Sequence, residues 1–287
     1  MMYPAEPASP AECAAWSARN RGRRIEPGRY MALVRLDGDG EPETWMSDAE
    51  WHDHRRVLAV ARGRVVVTGL GLGCVVRAML ARGRVEHVTV VEREPDVIAM
   101  VWPALALAYG DRVALHRADA LTGELPAGEW DLAWHDIWPT ISAAHIPDMF
   151  ALRLRYRGRA RRQLCWGEGL AWAELGDHVR ARLIGQIADR ARAVVTPLHE
   201  HFSPARLAQV VAEMRRRGPP RIRAYFDAVS VAWFCFEGTH RLRAALQLGI
   251  APVLVPVRWH RGPAALVRAR HAARIRGHVF ARVEVAS

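Results

Sequence analysis

A chain of 287 residues is long enough for one large or two ordinary domains, since a domain typically holds roughly 100 to 200 residues. Its composition, 51% hydrophobic and 25% charged, is typical of a soluble globular protein. No apolar stretch reaches the roughly 18 residues that a membrane span needs, and the first residues lack the basic and apolar regions of a secretory signal. We therefore predict a cytoplasmic protein that has no membrane partner.

The net charge of +11 comes from arginine alone, because the 41 basic residues include no lysine. Such a charge favours a polyanionic partner, but GC-rich coding bias explains the same composition, and both explanations stay open. The missing lysine excludes mechanisms that need a phosphate-loop, Schiff-base or kinase-type lysine. The four cysteines are widely spaced, which predicts reduced thiols and neither disulfides nor a structural zinc site.

In chain order, residues 1–28 are rich in Pro, Ala and Arg, which predicts a loose arm. From Arg29, two apolar stretches flank an Asp-Gly-Asp-Gly turn and predict a β-hairpin, after which Asp48 caps a short helix. Strand and helix signals then alternate, which predicts parallel strands joined by crossover helices. The strand signals are RVVVTGL, HVTVVE, RVALHRAD and DLAWHDI.

The pattern changes after Pro139. Residues 146–192 show helical periodicity and many arginines but no strand signal, so we predict an arginine-rich helical connector and a first sheet that lacks its late strands. Residues 193–287 mix strands and helices: Ser203 is a good N-cap, IRAYF and VAWFCFEG predict a hairpin, and Gly249 ends a helix that starts at Thr239. The predicted organisation is an α/β domain at 29–145, the connector at 146–192 and a smaller α+β domain with a basic tail at 193–287.

The strand RVVVT leads into three glycines at alternate positions, Gly69, Gly71 and Gly73, directly before a helix. Glycine lets the chain turn sharply and lets backbone N–H groups at a helix N-terminus approach a ligand. This turn predicts a nucleotide-cofactor site.

Acidic residues follow the next three predicted strands. Glu92 lies about 20 residues after the turn, where a carboxylate hydrogen-bonds ribose hydroxyls. Asp119 follows the third strand and is placed to read the exocyclic amine of adenine. Asp136 ends the fourth strand, where one interpretation is a structural role as a cap of the next segment. His135 alternates with it and is expected to face the other side of the strand.

In this order and spacing, residues 29–142 resemble the class I S-adenosylmethionine (AdoMet)-dependent methyltransferases, in their spermidine-synthase-like branch. The resemblance implies a Rossmann-like domain in which the glycine turn, Glu92 and Asp119 bind AdoMet and Asp136 orients or deprotonates the acceptor. Leu72 and Trp138 depart from the aminopropyltransferase pattern, which has an Asp in the turn and small polar residues after the fourth-strand Asp. Methyl transfer is therefore preferred, with aminopropyl transfer as an alternative.

A second turn, EGTHR, lies between a strand and an Ala-rich helix, where the helix start and two basic side chains would hold a phosphate. The stretch from Val194 to Arg258 resembles the ParB/sulfiredoxin-like fold. That resemblance implies a nucleoside triphosphate, with magnesium in several members, and Glu237 is the candidate metal ligand or a local ion-pair partner. Thr239 replaces the reactive cysteine of sulfiredoxins, so their chemistry is not supported. The phosphate-binding candidates are Gly238, Thr239, His240 and Arg241.

Three basic clusters have two explanations: solvated helix faces, which we prefer, or contact with nucleic acid, in which Tyr156 or Trp166 stacks on bases. The clusters are RLRYRGRARRQLCW, RRRGPPRIR and RWHRGPAALVRARHAARIRG. We therefore predict an AdoMet-dependent transferase, preferably a methyltransferase, with an appended nucleotide-binding domain. The alternative is a nucleotide-dependent, DNA-associated ParB-like protein whose methyltransferase-like part is a silent scaffold.

Overall fold

The computed structural model divides the chain into two compact units, Met1–Ala171 and Trp172–Ser287. The division falls inside the segment predicted as a connector, whose residues are shared between both units. In the described part of the chain, no helix is both long and apolar enough to cross a membrane. The structure describes residues 2–4, 9–11, 13–14, 31–36, 42–47, 53–190, 193–227, 230–280 and 283–286.

A small antiparallel sheet contains strands β1 (Met2–Pro4), β2 (Met31–Leu36) and β3 (Pro42–Ser47), in that spatial order. The pairing of β2 with β3 confirms the predicted hairpin. The prediction of a loose arm is wrong at Met2–Pro4, because this segment pairs with β2. Three residues are too few to show a strand period, so only the pairing reveals the strand. The predicted helix cap Asp48 lies outside the described residues.

The main sheet of the first unit has five parallel strands in the order β6-β5-β4-β7-β8. Its chain starts at the central strand and runs first to one edge and then to the other, which is the doubly wound arrangement of a Rossmann-like α/β domain. The elements are α1 (Arg55–Val60), β4 (Gly63–Thr68), α2 (Cys74–Ala81), β5 (Val85–Glu92), α3 (Pro95–Tyr109), β6 (Val113–Arg117), β7 (Leu132–His135), α4 (Ile146–Arg155), β8 (Gln163–Cys165) and α5 (Glu168–Ala173).

Strand β8 corrects the prediction that the segment 146–192 holds no strand. It pairs in parallel with β7 and adds a fifth strand to the sheet. The strand has only three residues and follows a run of arginines, so neither alternation nor an apolar run reveals it. Helices α4 and α5 agree with the predicted helical content of this segment.

The strands of this sheet are apolar on both faces, as expected when helices cover both sides of a parallel sheet. Val65 and Val67 of β4 and Val88 and Val90 of β5 are fully buried. They pack in one cluster with Met79 of α2 and other residues of the flanking helices. This core holds the carboxyl ends of the strands in fixed positions.

Most arginines of the first predicted basic cluster bind groups of their own unit. Arg153 is 1% exposed, and its guanidinium donates to the Gln163 carbonyl at 3.0 Å and to the Glu168 carboxylate. The Tyr156 and Trp166 rings are buried as well, so the prediction that they stack on nucleic-acid bases is wrong. The alternation of arginines with apolar residues in this cluster does not indicate that a guanidinium such as that of Arg153 is buried.

The second unit contains a mixed six-stranded sheet in the order β13-β9-β11-β10-β12-β14. The antiparallel pair β10 and β11 confirms the predicted hairpin. Ser203 caps the following helix through its hydroxyl, which accepts from the Arg206 N–H at 3.4 Å, and Gly249 ends α8 in the left-handed conformation, both as predicted. The elements are α6 (Asp177–Arg190), β9 (Ala193–Pro197), α7 (Pro204–Arg217), β10 (Arg221–Asp227), β11 (Ala232–Cys235), α8 (Thr239–Leu248), β12 (Val253–Pro256), α9 (Pro263–Arg276), β13 (His278–Phe280) and β14 (Glu284–Val285).

The buried ion pair of Arg153 gives a first prediction. In Arg153→Ala the Glu168 carboxylate and the Gln163 carbonyl lose their donor, so the free energy of unfolding should fall by roughly 3 kcal/mol. Arg161 is the matched control, because it pairs with Asp131 at 3.2 Å with its side chain 80% exposed, and Arg161→Ala should cost less than about 1 kcal/mol. Urea unfolding followed by tryptophan fluorescence measures both. Equal losses in the two variants would contradict the structural role of Arg153.

Candidate functional site

The glycine turn, residues 69–73, connects β4 to α2 at the carboxyl edge of the parallel sheet. Gly69, Gly71 and Gly73 all have positive φ angles, of 94°, 51° and 73°. A Cβ atom on Gly69 would lie 1.9 Å from the backbone oxygen of Asp136, so the end of β7 leaves no room for a side chain there. Gly73 is the left-handed N-cap of α2 and packs against Leu105 of α3.

Glu92 ends β5 and fixes the glycine turn in place. One of its carboxylate oxygens, Oε2, accepts from the Leu70 N–H at 2.8 Å, and the other accepts from the N–H groups of Arg93 and Glu94 at 2.8 and 2.9 Å. A carboxylate has about four acceptor positions, so Oε2 keeps one for a ligand hydroxyl. The side chain predicted to bind ribose therefore also supports the turn.

Asp119 follows β6 and is held by three donors. Its Oδ1 accepts from the N–H groups of Leu121 and Thr122 at 2.8 and 3.0 Å, and its Oδ2 accepts from Arg93 Nη1 at 2.9 Å. The hydrogen bond from the Arg93 guanidinium holds the pKa of the Asp119 carboxyl below its ordinary value. The carboxylate is thereby charged and oriented.

Arg93 is a site residue that the sequence reasoning missed. Its Nε donates to Glu94 Oε1 at 3.1 Å, and the Asp119 hydrogen bond raises its pKa. The available signal was its position: Arg93 lies between Glu92 and Glu94, directly after the second strand of the parallel sheet.

Asp136 follows β7 at the opposite side of the glycine turn. Its Oδ2 lies 3.9 Å from Nδ1 of His54, a residue that the sequence reasoning did not single out. His54 is buried and its ring meets the Trp134 ring edge to face at 5.8 Å. Nothing in the local sequence of α1 signals this approach, because the two residues are far apart in the chain.

His135 faces away from this group, as its alternation with Asp136 predicts. Its Nδ1 lies 3.1 Å from the Thr68 hydroxyl and its Nε2 3.1 Å from the Gln163 side-chain oxygen. Complete burial lowers the pKa of His135 to about 3, so its ring is neutral near pH 7. It is a structural residue of the sheet.

A cavity of about 220 Å³ joins these groups at the carboxyl edge of the sheet. Of the predicted site residues, Gly69, Gly71, Glu92, Asp119 and Asp136 line it. Gly73 is not among the lining residues, and its part is to begin α2.

The lining of this cavity is acidic. Its charged groups are five carboxylates and one guanidinium, although the whole chain carries a net charge of +11. The end beyond Asp136 adds two aromatic side chains, Trp138 and His145, whose rings lie 6.2 Å apart. The carboxylates belong to Glu92, Glu94, Asp119, Asp136 and Asp148.

In the second unit, the predicted phosphate-binding residues meet at the start of α8. Gly238 is the left-handed N-cap of that helix, and the Thr239 hydroxyl lies 3.2 Å from His199 Nδ1. His240 Nε2 accepts from the Ser203 N–H at 2.8 Å. Two of the predicted ligands, Thr239 and His240, thus have contacts within the unit.

The other charged groups of this turn differ in their contacts. Arg241 Nη1 donates to the Arg221 carbonyl at 2.9 Å, which leaves further guanidinium donors. Glu237 is exposed, and among the described residues no group of three or more His, Cys, Asp or Glu side chains is suited to a metal ion. Phosphate and magnesium binding at this turn stay predictions.

No family model and no curated protein matches the chain. Solved structures similar to it include the S-adenosylmethionine-dependent methyltransferase SibL, with 24% identity, a TM-score of 0.32, and coverage of 40% of this chain and 33% of that one. The glycopeptide N-methyltransferase MtfA complexed with (S)-adenosyl-L-methionine has 19% identity, a TM-score of 0.32, and coverage of 40% and 52%. The mitomycin 7-O-methyltransferase MmcR has 20% identity, a TM-score of 0.32, and coverage of 40% of this chain and 35% of that one. The chain thus spans between a third and about half of the length of these proteins.

The contact between Gly69 and the end of β7 gives a second prediction. In Gly69→Ala the new methyl group collides with the Asp136 carbonyl in addition to the strain of a positive φ angle, so the free energy of unfolding should fall by more than about 3 kcal/mol. Gly83→Ala is the matched control, because Gly83 has a φ of 69° but no described atom within 4 Å of the added Cβ. It should cost about 1 kcal/mol. Denaturation followed by circular dichroism compares them, and similar costs would refute the contact.

Proposed function

We propose that the first unit is an AdoMet-dependent group transferase, and specifically a methyltransferase. The observation that carries this proposal is the acidic cavity at the glycine turn, where the doubly wound sheet reverses direction. In open α/β sheets, ligands bind at the carboxyl ends of the strands at this reversal. The lining of the cavity by Gly69, Gly71, Glu92, Asp119 and Asp136 supports the proposal.

The charge of the cavity favours AdoMet over a nucleotide that contains phosphates. AdoMet is a nucleoside that carries a sulfonium cation and no phosphate, whereas NAD or ATP would bring several negative charges among five carboxylates and one guanidinium. Like charges at such short distances cost several kcal/mol in a partly buried site. A cationic nucleoside therefore fits the lining and a polyphosphate does not.

The individual residues suit the parts of this cofactor. Oε2 of Glu92 accepts from a ribose hydroxyl, and the carboxylate of Asp119, oriented by Arg93, accepts from the amino group of adenine. AdoMet supplies an activated methyl group, so the protein mainly aligns the acceptor and excludes water.

Asp136 is the proposed catalytic residue. It lines the cavity at the end of β7, which lies on the other side of β4 from β5 and β6, the strands that lead to Glu92 and Asp119. In this position its carboxylate orients an acceptor N–H or O–H group and takes up the proton that the acceptor releases. Aminopropyl transfer remains the alternative chemistry for the same residue, and incubation with decarboxylated AdoMet and putrescine tests it.

For the second unit we propose a ParB/sulfiredoxin-like fold, with a phosphate-binding turn at the start of α8. Its support is the sequence resemblance together with the left-handed Gly238 that begins α8 directly after β11. The proposal for the first unit does not depend on this assignment.

Calorimetric titration tests cofactor binding. The intact chain should bind AdoMet in the acidic cavity, and saturating ATP should not displace it. Glu92→Ala removes the ribose acceptor and the support of Leu70, so AdoMet affinity should fall at least about tenfold. Glu86→Ala is the control, because Glu86 is an exposed acid at the start of the same strand.

The same titration separates the two main alternatives. If millimolar AdoMet gives neither heat nor a thermal shift, while CTP or ATP binds and Arg241→Ala abolishes that binding, the first unit is a silent scaffold. The transferase proposal would then be refuted.

Replacement of Asp136 tests catalysis. An acceptor is first identified from amines and alcohols with radiolabelled AdoMet, and turnover is then compared among variants. Asp136→Asn should lower turnover about 100-fold or more while AdoMet affinity stays within about threefold, because the general base is lost and the nucleoside contacts remain. Asp131→Asn, outside the cavity, should keep its activity. Equal activity of both variants would exclude Asp136 as the base.

A further inference from the structure

The net charge of the chain is confined to the second unit. Residues 172–287 contain 19 arginines and eight acidic residues, whereas residues 1–171 contain 22 of each. Coding bias raises the arginine content of both units, but only the first unit balances it with carboxylates. The excess charge of the second unit reflects its scarcity of acids, which an arginine bias does not explain. A polyanionic partner does explain it.

Part of this charge lies along β10 and beside one aromatic side chain, Phe236, which follows β11 directly. Arg223 of β10 is opposite Phe236 in the antiparallel register, and its carbonyl accepts from the Phe236 N–H at 3.3 Å. Arg221 lies two residues earlier on the same face of β10 and is exposed like Arg223. Arg241 of α8 reaches this strand through its bond to the Arg221 carbonyl.

The loop after β12 completes the group with an aromatic stack. The ring of His260 stacks on Phe236 at 4.3 Å with an angle of 27° between the planes, and the Arg261 guanidinium lies 5.5 Å from the Phe236 ring. His260 and Arg261 are both exposed. We name this group the basic-aromatic patch; it consists of Arg221, Arg223, Phe236, Arg241, His260 and Arg261.

The guanidinium groups of the patch differ from those buried in the first unit. Within the described residues, none of its four arginines forms an ion pair. Arg153, by contrast, is buried and binds a carboxylate. The patch therefore presents cationic donors to solvent.

We propose that the basic-aromatic patch binds single-stranded nucleic acid. Its four guanidiniums, carried by a strand, a helix and a loop, contact successive phosphates. The exposed His260 ring, supported by Phe236, stacks on an unpaired base. A duplex hides its bases from such a ring, and a mononucleotide presents only one phosphate chain to four separate arginines. The proposal concerns the second unit and does not rest on the transferase activity of the first.

Fluorescence anisotropy with the full chain tests this binding. The probes are a labelled RNA of about 20 nucleotides, DNA of the same sequence, and the corresponding duplex. Single strands should bind at least about tenfold more tightly than the duplex. The logarithm of affinity should fall with the logarithm of salt concentration with a slope of about −3, because each of four phosphate contacts contributes about −0.7. The RNA and DNA arms show which strand is preferred.

Variants locate the binding. Arg223→Ser combined with Arg261→Ser should reduce the steepness of the slope by about 1.4. The control pair, Arg56→Ser with Arg77→Ser, removes the same charge from exposed positions of the first unit and should leave binding unchanged. His260→Ala should weaken single-strand binding about tenfold without changing the slope.

Two results would overturn the proposal. One is equal binding by the patch and control variants. The other is duplex binding as tight as single-strand binding, together with no effect of His260→Ala.

Discussion

The carboxylate of Glu92 is the interaction on which the site of the first unit depends. Its three backbone hydrogen bonds join the glycine turn after β4 to the loop after β5. That loop carries Arg93, which in turn holds Asp119 after β6. The carboxyl ends of three neighbouring strands are thus connected through two acidic side chains and one guanidinium. A ligand at this edge meets groups whose orientation is already fixed, which lowers the cost of ordering them on binding.

Local patterns were sufficient to predict four of the five strands of the parallel sheet and five of the residues that line the cavity. The reason is that Gly69 and Gly71, like the acids Glu92 and Asp119, lie at strand ends, and the ends of parallel strands meet at one edge. Long-range contacts were not predictable: the approach of His54 to Asp136 and the pairing of Met2–Pro4 with β2 have no local signal. The three-residue strand β8 was missed because it is shorter than one detectable period. Burial of Tyr156 was missed because its neighbours are arginines that bind backbone carbonyls instead of solvent.

The two units differ in net charge and in the kind of charged group that they concentrate. The first is neutral in sum and collects carboxylates in its cavity, whereas the second carries the entire excess of arginine. The ligands proposed for the acidic cavity and for the basic-aromatic patch differ in charge, since one is a small cation and the other a polyanion. The charge of each site repels the ligand proposed for the other, so the two proposed functions do not compete.

The buried His135 makes the site sensitive to acid. It lies between Thr68 of β4 and Gln163 of β8, and burial holds its pKa at about 3 against 6.5 for an exposed imidazole. Between these two values the unfolded chain binds a proton that the folded chain excludes, so the folded state loses stability as the pH falls through that range. The hydrogen bonds of His135 join β7 to the central strand β4, which leads into the glycine turn, and to the edge strand β8. Asp136 directly follows His135 in the chain. Acidification therefore destabilises the sheet whose strand ends form the cavity.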